Sequence, residues 1–184
     1  VAFALASALP SADQLAEERI LEILGERLPL PVLTEVSGEH GQVAETARMW
    51  VVDPLDGTFN YSRGTPLCCS SIGLWDRGEP VLGAVYNFYT DELFTGIVGQ
   101  GAWLNGRPIR VSGVTAVAKA SLGTGFPHHQ DFGDAPLRGF IRQVQDFKKI
   151  RMLGSAALMG VHAACGWLDV YREDDAWRWD IAGA

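Results

Sequence analysis

Apolar positions recur at helical spacing between residues 15 and 28: Leu15, Ala16, Ile20, Leu21, Ile23, Leu24 and Leu28. Ser11 stands ahead of them with Gln14 three residues on, the spacing of a capping box. Pro29 and Pro31 end the pattern. A helix with one buried face is therefore predicted. The period then shortens. Val32 to Val36 reads as a short strand and Ser37 to Gly41 as a turn. Met49-Trp50-Val51-Val52 is a continuous apolar run, the mark of a buried strand, and it stops on Asp53. Pro54 has no ladder donor and is expected to turn the chain there. Short strands follow over 69–75, 80–88, 92–98, 102–104 and 107–111, with hairpin loops at 76–79 and Asn105-Gly106. They predict an antiparallel meander. Ala120 to Gly125 reads as a further strand, closed by Phe126-Pro127. Residues 134–147 read as a helix and 148–153 as a strand. A helix opens at Gly154-Ser155 and runs to Ala164, with Gly166 as its stop signal. Leu168 to Glu173 alternates like a strand, and Trp179-Asp180 begins another helix. Helices interleaved with a meander predict a layered α/β architecture.

Composition narrows the function more than the fold. The 184 residues are 47% hydrophobic and 20% charged, which suits one domain. A net charge of −7 gives no electrostatic basis for binding nucleic acid or an anionic membrane. Cys68, Cys69 and Cys165 make an odd set with two members adjacent, a poor disulfide framework that fits a reducing cytoplasm. No Cys-x-x-Cys occurs and His128-His129 stand alone, so zinc is not expected. Residues 1–10 have the small apolar look of a signal peptide's middle region. They lack a basic start, and read instead as part of a trimmed or fragmentary helix. No stretch approaches a membrane-spanning length.

The chemistry concentrates in Asp53-Pro54-Leu55-Asp56-Gly57-Thr58-Phe59-Asn60. Two carboxylates three residues apart stand at a strand end, followed at once by a Gly turn entering a helix. Mg²⁺ takes oxygen ligands and pairs one or two carboxylates with substrate phosphate. Backbone N–H groups at such a turn suit the phosphate itself. An isolated Asp-Pro-x-Asp is as well read as an ordinary turn. The full string Asp-Pro-x-Asp-Gly-Thr-x-Asn resembles the signature of the inositol monophosphatase family, the magnesium-dependent, lithium-sensitive phosphatases. Segments at 80–86, 101–106, 154–158 and 179–183 are also similar to family segments, in family order.

The resemblance implies an αβαβα sugar-phosphatase-like fold. Residues 1–125 would be its metal-binding α+β part and 126–184 the start of a second, incomplete α/β part. It implies hydrolysis of a small polyol phosphate, such as inositol 1-phosphate, by water activated between two or more Mg²⁺ ions. Gly38-Glu39 resembles the family's Gly-Glu-Glu turn, which makes Glu39 a metal ligand touching the water. Asp53, Asp56, Asp180 and the Leu55 carbonyl complete the metal set. Thr58, held by Asp13, would orient the water, although Asp13 equally suits an ordinary first helical turn. Gly57 and Thr58 would hold phosphate through N–H groups, with Asp56 and Asp180 alongside. Gly154, Ser155, Ala156 and Glu173 would face the substrate's hydroxyls, with Ser155 also a candidate helix cap. Glu173, Asp174 and Asp175 suit hydroxyls better than a second phosphate. Histidinol phosphate, fructose 1,6-bisphosphate, a 3′-nucleotide, and a non-catalytic homologue remain alternatives. The family's upstream Lys and Asp-x-Val-Thr segment is not visible here. The chain also stops just after Asp180, where the family continues, so Asp180 is expected on an unsupported helix end. A homodimer is implied.

Overall fold

A computed structural model describes residues 11–44, 46–126, 133–174 and 176–184. The expectations for residues 1–10, His128-His129 and Asp175 lie outside them.

Helix α1 (Ala12–Arg27) starts as its sequence predicts. The Ser11 N–H donates to the Gln14 side chain at 2.8 Å, and the Gln14 N–H returns to Ser11 Oγ at 3.3 Å. Ile20, Leu21 and Leu24 pack on Val32, Trp50, Val52 and Leu74. Only part of the predicted face is covered, since Leu15, Ile23 and Leu28 are exposed. Glu17 is buried instead. Its Oε1 accepts from Thr34 Oγ1 at 2.6 Å and from the Ser37 N–H at 3.1 Å, which ties α1 to the end of the first strand.

The large sheet has the order β2-β1-β3-β4-β5-β6-β7-β8. Its strands are β1 (Val32–Thr34), β2 (Gly38–His40), β3 (Arg48–Asp56), β4 (Cys69–Asp76), β5 (Glu79–Asn87), β6 (Glu92–Ile97), β7 (Gly101–Leu104) and β8 (Arg107–Pro108). From β3 to β8 it is the expected antiparallel meander. Two local expectations are corrected. The tight turn falls at residues 35–37, so Gly38 to His40 is a returning strand rather than part of the turn. Pro54 does not end β3. The pairing shifts between Asp53 opposite Ser71 and Asp56 opposite Cys69. At that bulge the missing proline donor is tolerated. Pro54 is fully buried, and its carbonyl accepts from Ser70 Oγ at 2.8 Å.

Both faces of β3 are covered. Trp50 and Val52 face α1, while Met49 and Val51 face Ala182 and Trp179 at the far end of the chain. Successive strand side chains point to opposite faces, so a doubly covered strand needs an unbroken apolar run. A second sheet places β9 (Ser121–Gly123) between β10 (Lys149–Arg151) and β11 (Val170–Tyr171), all parallel. Helices α3 (Asp134–Val144) and α4 (Ala156–Ala164) lie in the two chain segments that return to it. Ala157, Leu158 and Val161 of α4 pack on Cys69, Val85 and Phe94 of the large sheet. The result is the expected layered α/β fold. Among the described residues no helix is long and apolar enough to cross a membrane.

The last turn, α5 (Arg178–Ile181), is held despite its four residues. Trp75 Nε1 donates to Ala182 O at 3.2 Å, and Ala182 is 4% exposed. A Cβ on Gly73 would lie 2.1 Å from Ala182 O, and one on Gly83 would lie 2.3 Å from Gly183 O. The end of the chain thus rests directly on strand backbone, and the expected lack of support is corrected.

Candidate active site

One cleft, of about 560 Å³, gathers most of the acidic positions singled out above. Glu35, Asp53, Asp56, Glu173, Asp174 and Asp180 line it, together with Leu55, Gly57, Thr58, Gly154, Ser155 and Ala156. A second cavity, of about 260 Å³, lies over β5–β7 and is lined by apolar residues and Thr95, so it offers no comparable chemistry.

The register of the large sheet builds the acidic floor. β1 runs parallel to β3, with Thr34 opposite Val52. The residue after each is an acid, Glu35 at the start of the turn and Asp53 within β3, and the Glu35 N–H donates to Val52 O at 3.2 Å. Asp53 is 1% exposed. Burial, then the charges of Asp56 and Glu35 and a hydrogen bond with Glu35, hold its carboxyl well above the ordinary carboxylate range, and Asp180 adds to the shift. Its Oδ1 accepts from the Leu55 N–H at 3.1 Å.

Asp56 lies at the other end of the bulge, 9% exposed. Ser155 Oγ donates to its Oδ2 at 2.5 Å, as does the Ala157 N–H at 2.8 Å, while the Ala156 N–H reaches Oδ1 at 3.3 Å. Burial pushes its carboxyl up to about 6 against these hydrogen bonds, which favour the charged form. Ser155 thus caps α4 by accepting from the Leu158 N–H at 3.2 Å and anchors Asp56 at the same time. Cys69 Sγ is 3.8 Å from both Asp56 Oδ2 and Ser155 Oγ. Burial and Asp56 hold its thiol well above the ordinary value, so it stays protonated and is a poor nucleophile.

Gly57 precedes the short helix α2 (Thr58–Ser62) with φ of +84°. That conformation suits glycine, and a Cβ here would also meet Leu67 O at 2.8 Å. Asn60 secures the same turn, its Nδ2 donating to Leu67 O and Leu153 O, both at 2.8 Å. Thr58 Oγ1 donates to Leu55 O at 3.0 Å. A hydroxyl has one proton to give, so the expected bond from Thr58 to Asp13 is not made. Asp13 does not line the cleft, and its Oδ1 is buried without a partner among the described residues.

Glu39 is also displaced from the site. It sits exposed on β2 opposite Leu33 and does not line the cleft. Glu35 occupies the place expected of it. The available signal was an acid directly after a short apolar strand. Asp180 lines the cleft from α5, where its carboxylate accepts the Trp177 N–H at 2.7 Å. Glu173 accepts from Tyr171 Oη at 3.2 Å and lies where a Cβ on Gly125 would be, 2.3 Å from Glu173 Oε1.

The chain as a whole matches a known family. A profile of the inositol monophosphatase family matches residues 6–184. The chain belongs to that family. It is 40% identical over 177 residues to inositol monophosphatase 3 of Solanum lycopersicum, covering 93% of this chain and 66% of the relative. The solved inositol monophosphatase of Anabaena (Nostoc) sp. PCC 7120 superposes with a TM-score of 0.87 at 38% identity, over 94% of this chain and 69% of the other. The structure of SaIMPase-II with inositol monophosphate bound superposes at 0.82 and 30% identity, over 93% and 66%. The chain thus spans about two thirds of these relatives' length.

Apart from the thioethers of Met152 and Met159, the side-chain donors described in the cleft are oxygens, the set that hard divalent cations take. Repulsion among Asp53, Asp56, Glu35 and Asp180 would be relieved by a cation. As the side chains stand, no three acidic, imidazole or thiol groups among the described residues close on one point. The chemistry of the site fits a divalent ion.

Proposed function

We propose that this protein hydrolyses a small phosphate monoester of a hydroxyl-bearing alcohol, such as inositol 1-phosphate, with Mg²⁺ held by Glu35, Asp53, Asp56 and Asp180. The observation that carries this reading is the convergence of four carboxylates from the turn after β1, both ends of the β3 bulge and α5 in one cleft. Burying like charges together is unfavourable unless something compensates, and perturbed carboxyls in a cleft mark functional sites. Bound Mg²⁺ would polarise the phosphate and stabilise the leaving alkoxide.

The chain's own groups supply the rest. Hydrogen bonds from α4 hold Asp56 charged and oriented. The Leu55 carbonyl has a second lone pair beyond the one taken by Thr58, so it stays available as a ligand. Thr58, at the start of α2, turns its hydroxyl oxygen toward an attacking water, and Gly57 keeps the backbone close to the phosphate. Glu173 faces the alcohol's hydroxyls. No lysine or arginine among the described residues lines the cleft, which favours one phosphate over two. Assembly as a homodimer belongs to the same reading. The exposed aromatic run Tyr61, Phe88 and Tyr89, with centroids 6.0 and 5.3 Å apart, supports it, and light scattering at twice the monomer mass would test it.

The deciding assay is phosphate release from inositol 1-phosphate, histidinol phosphate, fructose 1,6-bisphosphate and adenosine 3′,5′-bisphosphate, with Mg²⁺ and with EDTA. Magnesium-dependent turnover of a monophosphate is expected. Absence of turnover and of Mg²⁺ binding would overturn the reading.

A further inference from the structure

The carboxylates account for one end of the cleft. The mouth is different in kind. Phe59, Phe126 and Met152 line the same cavity and are 71%, 46% and 46% exposed. Scattered apolar side chains on a surface need no explanation. Three on one cleft whose floor is acidic are less ordinary, because a ligand that only needed hydrogen bonds would leave them wet.

Both rings are also held. Phe59 is the second residue of α2, and Arg63, four residues on, places its guanidinium 5.2 Å from the ring centroid. Cation–π contact of this kind restrains the ring while most of its surface stays in water. Phe126 leans on Phe140, with centroids 4.8 Å apart and planes 32° from parallel. A ring fixed beforehand loses little conformational freedom when something stacks on it. Phe59 directly follows Thr58 in the chain and lines the same cleft. Met152 adds an adaptable wall.

We infer that the mouth of the cleft, through Phe59 and Phe126, selects phosphate monoesters whose alcohol carries a flat aromatic ring. This inference rests on the phosphate-site reading above and, where that reading gave inositol 1-phosphate as an example, ranks alcohols bearing an aromatic ring above it. Ring stacking and hydroxyl recognition are compatible, since Glu173, in the loop after β11, comes from a different segment of the chain than Phe59 on α2 or Phe126 after β9.

The test separates the ring from the phosphate. Phenylphosphonate and cyclohexylphosphonate share ring size and, in buffer alkaline enough to make both dianions, charge; both resist hydrolysis, so binding is read without turnover. Calorimetric titration of the 184-residue chain in Mg²⁺ should give about two- to tenfold tighter binding of the phenyl compound. Phe59→Leu, exposed and therefore compatible with folding, should bring that ratio toward one, and Phe59→Trp should preserve or raise it. Equal affinities in the parent would overturn the inference. So would a ratio unmoved by both Phe59→Leu and Phe126→Leu. Inorganic phosphate forms the third arm. If it binds while the two phosphonates do not differ, the phosphate site stands and the ring preference falls. If neither phosphate nor either phosphonate binds, both fall together.

Discussion

Asp53 and Glu35 meet because each directly follows a member of the last parallel pair, Val52 on β3 and Thr34 on β1. A buried carboxyl beside another is kept protonated by desolvation and repulsion, and a divalent cation reverses both effects. Asp53→Asn should therefore fold at least as well as the parent in EDTA, because it replaces a group already neutral there. It should lose turnover and the Mg²⁺-induced rise in melting temperature. Retention of that rise would remove Asp53 from the ligand set, since a ligand of the native state alone must stabilise it. Glu35 and Glu39 form a second comparison. Glu35→Gln should weaken Mg²⁺ binding by about tenfold or more, the effect of roughly 1.4 kcal/mol or above. Glu39→Gln, on the exposed strand, should bind Mg²⁺ as the parent does. The reverse result in a titration would restore the Gly-Glu reading of the sequence.

Elements carry these residues to one place, and their packing is tightest where backbone meets backbone. Gly73 and Gly83 leave no room for a side chain beneath Ala182 and Gly183, whereas a Cβ on Gly96, next in the same cross-strand row, meets nothing nearer than 3.9 Å. Gly83→Ala should thus displace α5, lower stability by about 1–3 kcal/mol as overpacking does, and weaken Mg²⁺ binding through Asp180. Gly96→Ala should stay within about 0.5 kcal/mol. Denaturant melts paired with Mg²⁺ titration test both consequences. A Gly83→Ala protein with unchanged Mg²⁺ affinity would detach Asp180 from the site. The α2 turn depends on glycine in another way. Gly57→Ala would need a left-handed alanine and would press on Leu67 O, so a loss of about 1 kcal/mol or more is expected.

For the whole molecule, the acidic cleft makes stability depend jointly on pH and on cation. The carboxyl of Asp56 rises from 3.8 to about 6 on folding, and that of Asp53 rises further. The folded state therefore binds more protons than the unfolded chain above pH 3.8, so this contribution falls as pH rises through 6 and beyond. In EDTA the melting temperature should carry a declining component from pH 5 to pH 9. Stabilisation by Mg²⁺ should grow over the same interval, because cations bind deprotonated carboxylates. Equal Mg²⁺ stabilisation at pH 5 and pH 9 would count against the cluster as the binding site.

The sequence by itself determined the meander, the capping box, the double-sided burial of β3 and the Asp-Pro-x-Asp-Gly-Thr motif, because each is written in contiguous residues whose period or spacing has a local physical cause. Tertiary structure alone decided the rest. Pro54 stays within β3 because a bulge absorbs its missing donor. Glu35 rather than Glu39 enters the cleft because parallel register sets it beside Asp53. Ser155 becomes an anchor for Asp56 ninety-nine residues away. A four-residue helix holds Asp180 because two distant glycines admit its backbone. These depend on contacts between segments far apart in the chain, and no local periodicity encodes which strand will lie beside which.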